Sequence, residues 1–122
     1  MLETVSFVNV ESGKDLILSF AVMKPDDPME IDSLILLRTP IYEPLFDAAE
    51  RGVRVSFERY VSDEDDLLEE VHWDQDKGVV QLKTQLHEYE LDLRKVSAKS
   101  IRAMLKLLKK MNYDSSFLLS DV

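Results

Sequence analysis

Residues 67–86 constrain the fold more tightly than any other stretch of the chain. Apolar and polar residues alternate with period two on both sides of Gln75-Asp76-Lys77-Gly78, a run with the composition of a turn. Setting Asp74 opposite Val79 brings Trp73 to Val80, Val71 to Leu82 and Leu67 to Leu86, so one register gathers every large apolar side chain on one face. A slip of one residue would turn that whole set into water. The chain therefore contains an antiparallel β-hairpin with one face on a core and the other in solvent.

The rest of the chain adds elements of the same kind. Leu16, Leu18, Phe20 and Val22 alternate clearly, and a two-residue turn at Ser12-Gly13 would pair Phe7 with Leu18 and Val5 with Phe20. All four prolines fall between positions 25 and 44, bracketing a buried strand over residues 33–38. Pro44 suits the first turn of a short helix over residues 44–51, with Leu45, Phe46 and Ala49 as its apolar face and Gly52 as its end. Val53, Val55 and Phe57 restart the alternation. Beyond Val80 the apolar positions change phase near His87, which calls for either one bulged strand over residues 79–93 or two strands. Residues 98–111 form an amphipathic helix, with Ser97 and Asn112 as caps and Ile101, Met104, Leu105, Leu108 and Met111 as its stripe. Phe117-Leu118-Leu119 is too apolar for a free tail and is expected to dock on the sheet or on another subunit.

The expected architecture is a single α+β domain over residues 1–122: a largely antiparallel, twisted sheet of about six strands, able to curl toward a half-barrel, carrying the short helix and the C-terminal helix. No apolar run reaches the ~20 residues of a membrane span, and the first twenty residues lack the basic start and apolar core of a secretory leader. A cytoplasmic protein is expected.

Several chemistries are excluded by residue type. The chain has no cysteine, which removes disulfide scaffolds, thiol catalysis and cysteine-ligated metal centres. No two of the three glycines lie within twenty residues of each other, so neither a phosphate-binding loop nor a dinucleotide fingerprint can be assembled. The acidic runs Asp63-Glu64-Asp65-Asp66 and Asp74-Gln75-Asp76-Lys77-Gly78 both fail the ligand spacing of a calcium loop and read as solvated. No cofactor or metal is expected.

One polar constellation stands out on the solvent face of the hairpin: Glu70, His72 and Asp74 on one strand, Gln81 and Lys83 on the other. Glu70 should oppose Lys83 and His72 should oppose Gln81. Asp74 with Gln81-Leu82-Lys83 resembles, in outline, the acid and Gln-x-Lys pattern of metal-dependent nucleases. Gln81 stands where that chemistry wants a second carboxylate, and cross-strand ion pairs explain the same residues. His72 and His87 fall at opposite ends of the hairpin and should not share a metal. The rigid segment Thr39-Pro40-Ile41-Tyr42-Glu43-Pro44 is a further binding candidate.

Charge is segregated. Residues 94–112 carry seven basic side chains and no acid, a span of +7 against a remainder of −16 that together make −9. That balance disfavours nucleic acid as a partner. The leading expectation is a non-enzymatic protein-protein interaction module with an unidentified protein partner or a second copy of itself. Its candidate surface is Arg102, Lys106, Lys109, Lys110, Phe117, Leu118 and Leu119. Two readings compete with it: an acidic inhibitor or immunity-type protein that binds a basic partner, and a small enzyme or ligand binder using Glu70, His72, Asp74 and Lys83.

Overall fold

The computed structural model describes residues 2–60 and 65–121. The elements run β1 (Leu2–Ser12), β2 (Leu16–Met23), β3 (Ile31–Arg38), two 3-10 turns (Pro40–Leu45 and Ala48–Glu50), β4 (Arg54–Phe57), β5 (Leu68–Asp74), β6 (Val79–Thr84), β7 (Glu88–Asp92), α1 (Ala98–Met111) and β8 (Leu118–Ser120). All the strands join one sheet in the order β4-β3-β2-β1-β7-β6-β5-β8.

The α+β class holds, but the sheet has eight strands rather than about six, and it is mixed. β1 runs parallel to β7, and β8 runs parallel to β5. The sheet also bends back on itself. The Val55 N–H donates to the Asp66 carbonyl at 2.8 Å and the Leu68 N–H to the Val53 carbonyl at 2.9 Å, tying edge strand β4 to the residues that enter β5. No helix of the described residues is long and apolar enough to cross a membrane.

Alternation fills the interior. Leu16, Leu18, Phe20 and Val22 of β2, Leu34 and Leu36 of β3, Val71 and Trp73 of β5, and Val80 and Leu82 of β6 join one core with Met104, Leu107, Leu108 and Met111 of α1. Each wholly buried Leu or Met contributes ~1.5–3 kcal/mol relative to its exposed state. The helix lies on β1 and β2. Ser97 caps it by accepting the Ser100 N–H at 3.2 Å, and Asn112 closes it, as the sequence indicates.

Three local expectations are corrected and one open choice is decided. First, β1 meets β2 through a three-residue loop, with Ser12 opposite Leu16 and Val8 opposite Phe20. A bulge between Val5 and Phe7 sits where β1 passes from pairing with β7 to pairing with β2, and it leaves Phe7 48% exposed. Second, no α-helix forms over residues 44–51. Pro44 lies inside the first 3-10 turn, where it has no N–H to give, and Leu45 and Ala49 stay exposed, so no apolar stripe is buried to reward a longer helix. Third, the choice left open over residues 79–93 falls to two strands, turned by Thr84 and His87. Fourth, the central hairpin keeps its register from Glu70–Lys83 to Asp74–Val79, but a bulge beyond Glu70 sets Leu68 against Thr84 and leaves Leu86 exposed.

The acidic run before β5 is not all solvated. Asp63 and Glu64 lie outside the described residues. Asp66 is buried, its carboxylate accepting the Thr84 hydroxyl at 2.7 Å and the Leu86 N–H at 3.1 Å.

The hairpin turn yields a test. Gly78 has a φ of +66°, and a Cβ there would meet Arg94 Cγ at 3.0 Å, whereas Gly13 has open space around it. Gly78→Ala should destabilise the protein by ~1–2 kcal/mol. Gly13→Ala should stay within ~0.5 kcal/mol of wild type. Urea unfolding of both variants measures the difference.

Candidate functional site

Arg38 organises the surface around it from inside. Strand alternation puts it on the same buried face as Leu34 and Leu36, so β3 carries a guanidinium into the interior at its end. The Nε donates to Glu43 Oε2 at 2.6 Å and Nη2 to Glu43 Oε1 at 2.8 Å, a bidentate fork. Nη1 and Nη2 hold Asp114 at 2.9 and 2.7 Å. Nη1 also reaches the Met111 carbonyl at 2.7 Å and Ser116 Oγ at 3.0 Å. The ring of Tyr113 covers the outer side, with its centroid 4.4 Å from Cζ. Burial works against the charge on Arg38, but the Glu43 and Asp114 carboxylates outweigh it and hold its pKa above the ordinary arginine value. Asp114 is held below the usual carboxylate range, chiefly by its hydrogen bonds to Arg38.

The Arg38 network shapes two pieces of surface. Glu43 is drawn inward, and a turn with three residues per repeat then points its other two rows outward. Ile41, Tyr42 and Leu45 are consequently 53–81% exposed, and Tyr113, whose ring lies over Arg38, is exposed as well. The second piece is the path from the helix to β8. Arg38 holds Asp114 and Ser116, and Asn112 Oδ1 accepts the Phe117 N–H at 3.1 Å. Phe117 is thereby buried in the chain's own core, Leu119 packs half-buried against it, and only Leu118 of the three is on the surface.

The basic helix face lies in solvent. Arg102, Lys106, Lys109 and Lys110 are exposed, and Lys110 Nζ donates to Ser12 Oγ at 2.6 Å. Arg102, Lys106 and Lys109 make no ion pair among the described residues. Lys109 and Lys110 sit in the last turn, where the negative end of the helix dipole favours them.

The sheet-face constellation assembles as its register predicts. Glu70 opposes Lys83, with Oε2 3.5 Å from Nζ, and His72 opposes Gln81. Glu70 Oε1 lies 2.9 Å from His72 Nε2. His72 first and then Lys83 hold the Glu70 carboxyl below its ordinary range. Gln81 turns away to donate to Glu90 at 3.3 Å, and Asp74 caps the turn by accepting the Lys77 N–H at 3.1 Å. Ser120 is the member that sequence reasoning misses. β8 places it opposite His72, and its Oγ is hydrogen-bonded to His72 Nδ1. An open depression of about 930 Å³ takes in His72, Asp74 and Gln81 of this face, together with Leu2, Glu90 and Asp121 among others. Among the described residues no three His, Asp or Glu side chains are placed to hold a metal ion. His87 belongs elsewhere, stacked 4.4 Å from the Tyr60 ring.

No protein-family model, no curated protein and no solved structure matches the chain.

The Arg38–Asp114 pair gives a pH test. Asp114's folded pKa is depressed, so the stability it adds is present above the ordinary aspartate value of about 3.9 and is lost as pH falls below it. Asp114→Asn should therefore be less stable than wild type at pH 6, with the difference narrowing at pH 3. Urea unfolding at the two pH values checks it.

Proposed function

We propose that this protein is a protein-protein interaction module that grips an acidic polypeptide with Ile41, Tyr42, Leu45 and Tyr113 and with the basic face of α1, elements that Arg38 ties together through Glu43 and the Met111 carbonyl. The observation that carries this reading is that Arg38 network. A tyrosine and two aliphatic side chains held out from a turn anchored at Glu43, with a second tyrosine after α1, have the composition and low entropy cost of an interface centre. Uncovered Arg102, Lys106 and Lys109 supply the charged rim. The net charge of −9 does not defeat this, because charges farther apart than ~8 Å are largely screened at physiological ionic strength. The local cationic face sets the partner's sign.

The test begins with capture from a native extract of the source cells on immobilised wild-type protein, followed by titration calorimetry with the purified partner. Tyr42→Ala and Leu45→Asp should each weaken binding by ~30-fold, about 2 kcal/mol, with the variants' unfolding midpoints unchanged. Lys106→Glu with Lys109→Glu should flatten the salt dependence of the affinity. A partner whose affinity responds to neither pair of changes overturns the reading.

A further inference from the structure

Glu70, His72 and Ser120 stand in a line that the interaction patch does not use. Glu70 Oε1 lies 2.9 Å from His72 Nε2, and His72 Nδ1 is hydrogen-bonded to Ser120 Oγ. An ionised carboxylate only accepts hydrogen bonds, so the neutral imidazole carries its proton on Nε2 and leaves the Nδ1 lone pair bare. The Ser120 hydroxyl then donates to Nδ1. This is the order of groups by which a serine is made nucleophilic: hydroxyl, base, and a carboxylate that fixes the base's tautomer. Lys83, 3.5 Å from the second Glu70 oxygen, holds that carboxylate in place from the next strand.

The surroundings give a reactant somewhere to sit. His72 and Asp121, which flanks Ser120, both line the depression of about 930 Å³. Its lining also includes Asp74, Asp76 and Glu90 against the single ammonium of Lys77. Such a surface concentrates cations and repels anions.

We propose that Ser120 is an acyl-accepting nucleophile, with His72 as its general base and Glu70 as the positioning residue, and that it acts on esters bearing a positive charge. Ser120 Oγ bonds to the ester carbonyl carbon as its proton passes to His72 Nδ1. The bond to the leaving oxygen breaks, and that oxygen takes the proton from His72. Water, deprotonated by the same imidazole, then attacks the Ser120 ester, releasing the carboxylic acid and restoring the hydroxyl. The steps need no oxidant or further reactant. This site shares no residue with the proposed binding surface, and its failure would leave the binding reading untouched.

The full chain is treated with p-nitrophenyl 4-guanidinobenzoate, a cationic ester, and with p-nitrophenyl acetate, a neutral one. The expected result is a burst of one nitrophenolate per chain from the cationic ester, with the acyl group mapped to Ser120 by peptide mass spectrometry. Ser120→Ala should abolish it. His72→Gln should slow it by ~100-fold, in the range removed with a general base. Glu70→Gln should slow it, and Glu70→Asp, which keeps a carboxylate at the same strand position, should restore most of the rate; a purely structural effect would not be rescued by the shorter acid. Circular dichroism confirms that each variant is folded. Acylation that is absent, that maps to lysines, or that is indifferent to His72→Gln overturns the proposal, and equal rates for the two esters overturn its substrate charge.

Discussion

A single buried guanidinium holds together the parts of this molecule that regular secondary structure does not. Arg38 ends β3 in the interior, where it joins the turn at Glu43, the C-terminus of α1 at the Met111 carbonyl and the following loop at Asp114 and Ser116. Taking such a charge out of water is costly, and removing one partner from a buried pair costs ~3–5 kcal/mol because it strands the other charge. Here two carboxylates, a carbonyl, a hydroxyl and an aromatic face share the cation. Both candidate surfaces follow from it. Pulling Glu43 inward turns Ile41, Tyr42 and Leu45 outward, and fixing residues 112–116 delivers Phe117 to the core and Ser120 to His72.

The segregated charge of the sequence resolves along the same lines. The arginines are largely engaged within the fold: Arg38 with Glu43 and Asp114, Arg59 with Asp32, Glu3 and the Met23 carbonyl, Arg94 with Asp92, Arg54 with Asp65, and Arg51 with the Phe46 carbonyl. Their planar forks match carboxylates in a way an ammonium cannot. Arg102 is the exception among the described residues, and it lies on the helix with Lys106 and Lys109. The positive face is therefore not cancelled by ion pairs among the described residues.

What the sequence made legible was whatever rests on a short period. The β5–β6 pairing from Glu70 to Asp74 and the capped helix over Ala98–Met111 both appear as read, because side-chain alternation and caps are local. The parallel pairings of β1 with β7 and β5 with β8 join residues distant in the chain, and no local pattern encodes their register. The bulge in β1 breaks the period that would have shown which of Phe7 and Val8 faces inward. Arg38 ends a strand that the sequence marks as buried, but its four side-chain and backbone acceptors are brought together only by the fold. Ser120 was hidden for the same reason: the apolar run at Phe117 announces docking, while the strand it docks beside is set by the tertiary structure.

The central claim is that Arg38 couples the turn at Glu43, the end of α1 and β8 into one unit. Amide hydrogen exchange on Arg38→Met, compared with wild type, tests it most directly. The account predicts that protection falls together at Tyr42 and Phe46, at Asn112 and at Phe117 with β8, while the β5–β6 ladder keeps its protection. Loss confined to the turn, or spread evenly over the sheet, would contradict it.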